Sequence, residues 1–271
     1  MTQFSNVMEI YKLLEKSNCR KCGEKTCMAF AAAIFMGKKE LSQCPTLSPE
    51  IAKGYKIQDR KANAQEEDFN RLVGQLKSKL KKLDLAERAK LIGATFDGRK
   101  LSLKIMGKDF SVDQEGKVYS DIHVNGWIYV STLNYIIYCQ GLPFSGNWVP
   151  LRELPGGLDW QRFFDQQCEK QLKKTADSYP DLFADLIHMF SGKQIVDQFQ
   201  SDVSVVLLPL PLIPMLISYW KSAEGMGSSL NLFFDDTAEK NLGMDGLYLL
   251  GTGLARMLEK LAQQHGSIAY R

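Results

Sequence analysis

The chain has 271 residues, 45% of them hydrophobic and 24% charged, with a net charge of +3. That is enough apolar material for a buried core in one large domain or two modest ones, and it excludes a disordered or collagen-like chain. So small a net charge gives no footprint for nucleic acid or anionic lipid, which call for a concentrated basic face.

Taken in chain order, residues 5–16 predict a helix, with Ser5 as N-cap and Val7, Ile10, Tyr11 and Leu14 at helical spacing. This opening stretch is amphipathic and charged, unlike a secretory signal, so a cytoplasmic protein is expected. A polar loop, SNCRKCGEKTC, follows, then a second helix from Thr26 to near Gly37, and a third starting at Ser48, Pro49 and Glu50. Residues 56–84 are highly charged but carry an apolar stripe, Phe69, Leu72, Val73, Leu76, Leu80 and Leu83. They read as a connector and then a helix packing onto a second domain, with KSKLKK (77–82) as its solvated face. The boundary is placed near residue 60, dividing the chain into a domain of residues 1–60 and a larger one of residues 61–271.

Beyond it, residues 84–93 predict a helix, and LSLKIM and KDFSVD (101–106, 108–113) a hairpin turning at Gly107–Lys108. A buried helix is expected over 126–140, and helices over 159–175 and 179–190 after the turn LPGG. The uncharged run 203–220 is long enough to suggest a membrane span. Pro209, Pro211 and Pro214 argue for two strands joined by a turn instead, and no membrane insertion is expected. NLFFDD (231–236) is another strand, and a last helix covers about 244–262. Helices around mainly antiparallel strands make the class α+β: a small helical four-cysteine module, then a larger mixed domain.

Chemistry concentrates in the first module. Four of six cysteines fall as Cys19-x2-Cys22-x4-Cys27-x16-Cys44-Pro45. In a reducing compartment such clustering signals metal or redox chemistry rather than disulfides. A cubane [4Fe–4S] cluster needs four soft thiolates, one for each iron. Cys19 and Cys22 share a loop. Cys27 enters the first turn of a helix, where free N–H groups and the dipole favour a thiolate, and Phe30, Ala31 and Ile34 extend its face as an apolar lid. Arg20, Lys21, Lys25, Lys38 and Lys39 surround the cysteines and could steady an anion or simply solvate the loop. Zinc is the rival ion, although its four-cysteine sites commonly show two close pairs rather than one pair and two single ligands. Cys139 and Cys168 read as small buried hydrophobes.

The run NCRKCGEKTCMAFAAAIFMG…CP resembles the iron–sulfur cluster domain at the start of the corrinoid iron–sulfur protein large subunit and in an electron-transport subunit of the Rnf complex. Asn18, Cys19, Cys22, Gly23, Cys27, Phe30, Ala31, Gly37, Cys44 and Pro45 carry the likeness, and Arg20 stands where glycine is frequent. The resemblance implies one [4Fe–4S] cluster on Cys19, Cys22, Cys27 and Cys44. NWVPLRELPGG and LPLPLIPMLISYW…LNLFFDD are similar to an uncharacterised domain that accompanies this module in anaerobes, for which no activity follows.

No catalytic motif organises the remainder. His123, His188 and His265 are scattered, GTGL (251–254) lacks a nucleotide-binding context, and LPGG before Asp159 reads as a tight turn rather than an anion cradle. Asp235 and Asp236 read as a strand end and turn cap rather than a cation site. The cluster reading makes one-electron transfer with a redox partner protein the expected role, and the resemblance implies a setting in anaerobic metabolism with a corrinoid protein or methyltransferase as partner. The alternative is a redox-sensing or ligand-binding protein with a structural or regulatory cluster. An enzyme ranks third.

Overall fold

A computed structural model describes residues 7–35, 38–48, 51, 60–179, 181–195, 199–223 and 225–266. The chain forms two compact units, Met1–Gly74 and Gln75–Arg271.

In the first unit, α1 (Val7–Leu13) packs on α2 (Cys27–Phe35), and a short 3-10 turn follows at Leu41–Gln43. The apolar spacing of α1 buries Ile10 and Leu14 against Phe30, Ala31 and Ile34, and Leu41 completes this core. Thr26 starts α2 as expected, its Oγ1 accepting the Ala29 N–H at 3.0 Å. Ser5 and Gly37, expected as caps, lie outside the described residues. So do Pro49 and Glu50, although Ser48 Oγ accepts the Ile51 N–H at 3.4 Å, as a cap would.

Helix α3 (Arg60–Leu80) carries the charged stripe. Leu76 and Leu80 are buried in the second unit, whereas Phe69 and Leu72 are exposed. Asp84 caps α4 (Leu85–Leu91) by accepting the N–H groups of Ala86 and Glu87. The four-stranded sheet β1 (Thr95–Phe96), β2 (Lys100–Ile105), β3 (Lys108–Asp113) and β4 (Val118–Ser120) is antiparallel throughout, in sequence order. The hairpin expectation holds, but its turn is Met106–Gly107 rather than Gly107–Lys108. Ile105 pairs with Lys108, and both central residues take positive φ, 47° and 77°. Met106 tolerates this because its side chain is buried and its N–H donates to Leu208 O at 3.1 Å, on the larger sheet.

Helix α5 (Gly126–Tyr138) is buried along most of its length, as its composition requires. At its heart Tyr135 Oη donates to Ile92 O at 2.7 Å and accepts the Leu212 N–H at 3.1 Å, joining the end of α4 to the turn of the central hairpin. Burial pushes the Tyr135 phenol far above its ordinary value, so it stays a neutral donor.

The larger sheet is also antiparallel, ordered β5 (Trp148–Pro150), β9 (Ser229–Asp235), β8 (Ile213–Trp220), β7 (Val203–Leu210), β6 (Lys193–Gln194). The uncharged run is thus a strand pair, and among the described residues no helix is long and apolar enough to cross a membrane. Its prolines sit where no ladder bond is lost. Pro209 falls in the register shift between Leu207 and Leu210, Pro211 in the turn, and Pro214 just before pairing with β9 begins at Met215.

Helices α6 (Gly157–Phe164), α7 (Lys170–Ser178), α8 (Leu182–Phe190), α9 (Ala238–Leu242) and α10 (Met244–Gly266) complete the unit. The helix expected over 159–175 is interrupted by a π turn at Asp165–Glu169. There the buried Glu169 accepts the N–H of Leu232 in β9 at 3.0 Å, one residue beyond the stretch of β9 that pairs with β5. Burial raises its carboxyl above the ordinary value, and the nearby Asp165 charge adds to this. A carboxyl whose folded pKa is raised supports the fold fully below its unfolded value and loses that support as pH rises through the folded one. Glu169→Gln should therefore stabilise the protein by up to about 1 kcal/mol, because a neutral amide can keep accepting the Leu232 N–H through its oxygen without holding a buried charge. Melting at pH 5 and pH 8 checks this: the gain should be larger at pH 8, and an equal or absent gain rejects it.

Candidate metal centre

The four clustered cysteines all lie in the first unit, in graded environments. Cys44 is buried in the module core, Cys22 and Cys27 are half-buried and packed against that core, and Cys19 is exposed. Three cysteines therefore border one apolar cluster, while the fourth sits on the loop leading to it. Among the described residues, no three His, Cys, Asp or Glu side chains are gathered closely enough to hold a metal ion. The donor set itself, four soft thiols in a short helical module with no competing histidine, suits an iron–sulfur cluster in number and chemistry.

The loop owes its shape to backbone turns and two side-chain ties. Asn18, Arg20 and Gly23 have φ of 51°, 62° and 82°. Asparagine and glycine accept this region readily and arginine does not, which is the physical reason a glycine suits the position Arg20 occupies. Asn18 then reaches across nine residues. Its Oδ1 accepts the Cys27 N–H at 2.8 Å, and its own N–H points at Cys27 Sγ at 3.4 Å. One residue thus satisfies an open donor at the start of α2 and directs an N–H at a candidate ligand sulfur. Opposite, Lys39 Nζ donates to Cys22 O at 2.6 Å and lies 3.2 Å from Glu24 Oε1. The backbone N–H of Lys21 holds the exposed Cys19 thiol below its ordinary pKa, favouring the thiolate form that binds metal. Cys44 Sγ lies 3.2 Å from Thr46 Oγ1.

Sequence reasoning identified Asn18 only as part of a resemblance and Lys39 only as local charge. The Asn-Cys pair and the lysine after the helix were visible, but the bonds they make depend on the folded loop.

The other candidates resolve as structural. Cys139 and Cys168 are buried in the second unit, and burial raises both thiols above their ordinary values. LPGG is a tight turn, with Gly156 at φ 75° and the Leu151 carbonyl so close to Gly157 that a Cβ there would lie 1.8 Å from its oxygen. Asp235 ends β9 and accepts N–H groups from Ser145, Gly146 and Thr237, and the Thr237 hydroxyl at 2.7 Å.

Residues 14–46 match the family model described as "Putative Fe-S cluster". Over 52 residues the chain is 46% identical to the acetyl-CoA decarbonylase/synthase complex subunit gamma of Methanocaldococcus jannaschii, covering 19% of this chain and 11% of that protein. Over 41 residues it is 51% identical to the corrinoid/iron-sulfur protein large subunit of Moorella thermoacetica, covering 15% and 9%. The gamma subunit of Methanopyrus kandleri is 44% identical over 50 residues, covering 18% and 11%. The chain thus spans about a tenth of the length of these relatives. Together these matches indicate an iron–sulfur cofactor in the first module. Residues 84–257 match the model described as "Domain of unknown function (DUF3786)", and the chain belongs to that family. No solved structure matches it.

Proposed function

We propose that Cys19, Cys22, Cys27 and Cys44 hold one [4Fe–4S] cluster, and that the protein carries single electrons to or from a partner protein. The observation that carries this reading is the placement of Cys22, Cys27 and Cys44 along one apolar core, beside the Cys19 loop that Asn18 ties to Cys27. Held by Cys19, Cys22, Cys27 and Cys44, such a cluster would supply a one-electron redox couple. The chain's own residues do the rest. The core under Cys44 keeps water from one side, the Asn18 N–H is aimed at the Cys27 sulfur, and the exposed Cys19 side leaves a short path to a partner.

The proposed division keeps residues 1–60 as the cluster-binding domain and 61–271 as an α+β domain with no assigned activity. Likeness to subunits named for acetyl-CoA decarbonylase/synthase and for a corrinoid/iron–sulfur protein supports a role linked to corrinoid chemistry, and the proposed setting is the cytoplasm in anaerobic metabolism, alongside corrinoid-dependent methyl transfer.

Material purified and reconstituted without oxygen should contain about four iron and about four sulfide per chain, as a cubane requires. It should also give an EPR signal on reduction by dithionite. Stoichiometric zinc without sulfide rejects the cofactor, and an iron–sulfur centre that no low-potential donor reduces rejects electron transfer.

A further inference from the structure

The loop between Cys22 and Glu24 is gathered around one ammonium group. Lys39 lies beyond the end of α2, seventeen residues from Cys22. Its Nζ donates to the Cys22 carbonyl at 2.6 Å, stands 3.2 Å from the Glu24 carboxylate, and covers Gly23 so closely that a Cβ there would sit 3.2 Å away. The Lys39 side chain is only 24% exposed, whereas a lysine that merely solvates a loop keeps its head in water.

Two physical effects could follow from this arrangement. A charge-assisted bond to a carbonyl is stronger than a neutral one and fixes the peptide after Cys22. A nearby cation would also favour the reduced, more negative form of a cluster. Glu24 cancels most of that second effect, because the pair carries no net charge. Position therefore outweighs charge. Lys39 also precedes Cys44 by five residues, so the bond joins the segment carrying the first three cysteines to the segment carrying the last.

We propose that Lys39 is the positioning residue of the cysteine loop, setting the approach of Cys22 to the cluster through the Cys22 carbonyl rather than through its charge. The proposal rests on the cluster reading above.

The test is a charge-and-position cycle on the full chain, reconstituted without oxygen: wild type, K39M, K39R, E24Q and E24Q/K39M. Iron release to a ferrous chelator and the reduction potential are both measured. Outer-shell partners of metal ligands typically change metal retention by 10- to 100-fold, so K39M should release iron about tenfold faster or more. K39R, which keeps a charged donor, should recover most of that loss, and E24Q should retain iron like wild type. The double variant E24Q/K39M restores the local net charge. It should bring the potential back toward wild type while still losing iron as fast as K39M. Retention in K39M equal to wild type overturns the proposal, and so does full recovery of retention in the double variant, which would make charge the whole effect. Wild-type protein without iron and sulfide would sink the cluster reading itself, and this proposal with it. Loaded wild type beside an unaffected K39M would sink only this one.

Discussion

With Cys27 replaced by alanine, protein reconstituted without oxygen should hold roughly a tenth or less of the wild-type iron, because the proposed cluster would need all four thiolates and its binding would be coupled to folding of the module. Cys27 is the informative candidate ligand to remove. It begins α2, its N–H is already held by Asn18 Oδ1, and alanine is a better helix former than cysteine. The helix should therefore survive while its sulfur is lost, so that missing iron reports ligation rather than unfolding. Cys168→Ala is the matched control. That thiol is fully buried in the second unit, and its removal should leave the iron content at the wild-type level. Iron and sulfide analysis of the two variants decides the matter. A Cys27→Ala protein with full iron would remove this residue from the ligand set.

The second large effect lies in the other unit. Asp235 has no exposed surface, yet its two oxygens accept from three backbone N–H groups and from the hydroxyls of Ser145 and Thr237. These bonds fasten the loop before β5 and the start of α9 to the end of β9. Asp235→Ala would leave several buried donors without partners, at a cost of about 3 kcal/mol or more. Burial by itself would push the Asp235 carboxyl up. The hydrogen bonds from Thr237, Ser145 and Gly146 outweigh it and hold the group below its ordinary value. A depressed carboxyl stabilises the fold fully above the unfolded pKa, near 3.9, and that contribution fades as pH falls through the lower folded value. Urea unfolding at pH 7 and through pH 4 to 2 should thus show a deficit in Asp235→Ala that narrows in the acid. A loss under about 0.5 kcal/mol at pH 7 would put Asp235 among ordinary surface positions.

What could be read from the residues followed from period and punctuation. The buried helix at Gly126–Tyr138, the strand pair built on the uncharged run and the strand ending at Asp235 all carry strong apolar patterns, and all formed. Strands of two or three residues, such as Thr95–Phe96, Val118–Ser120 and Lys193–Gln194, are too short to show an alternation, and their pairing is set by neighbours distant in sequence. The π turn is illegible for a related reason: it places Glu169 against a strand N–H that no local pattern announces. The hairpin turn fell one residue early because burial of Met106 prevailed over the preference for starting on glycine. At the cysteines, spacing marks a candidate donor set, since residue type is written directly in the chain. Which cysteine is exposed, and which side chains tie the loop, are properties of the folded module.

The placement of the five strands has a bearing on how the protein survives its own synthesis. The three longest, with almost no charge among them, occupy the middle of the larger sheet, and its two margins are β5 and β6, of three and two residues. One margin ends in Pro150, which has no N–H to offer, and the other begins with Lys193. A neighbouring chain thus finds little ladder to extend, so a segment that would otherwise invite fibril growth is shielded once the sheet has closed.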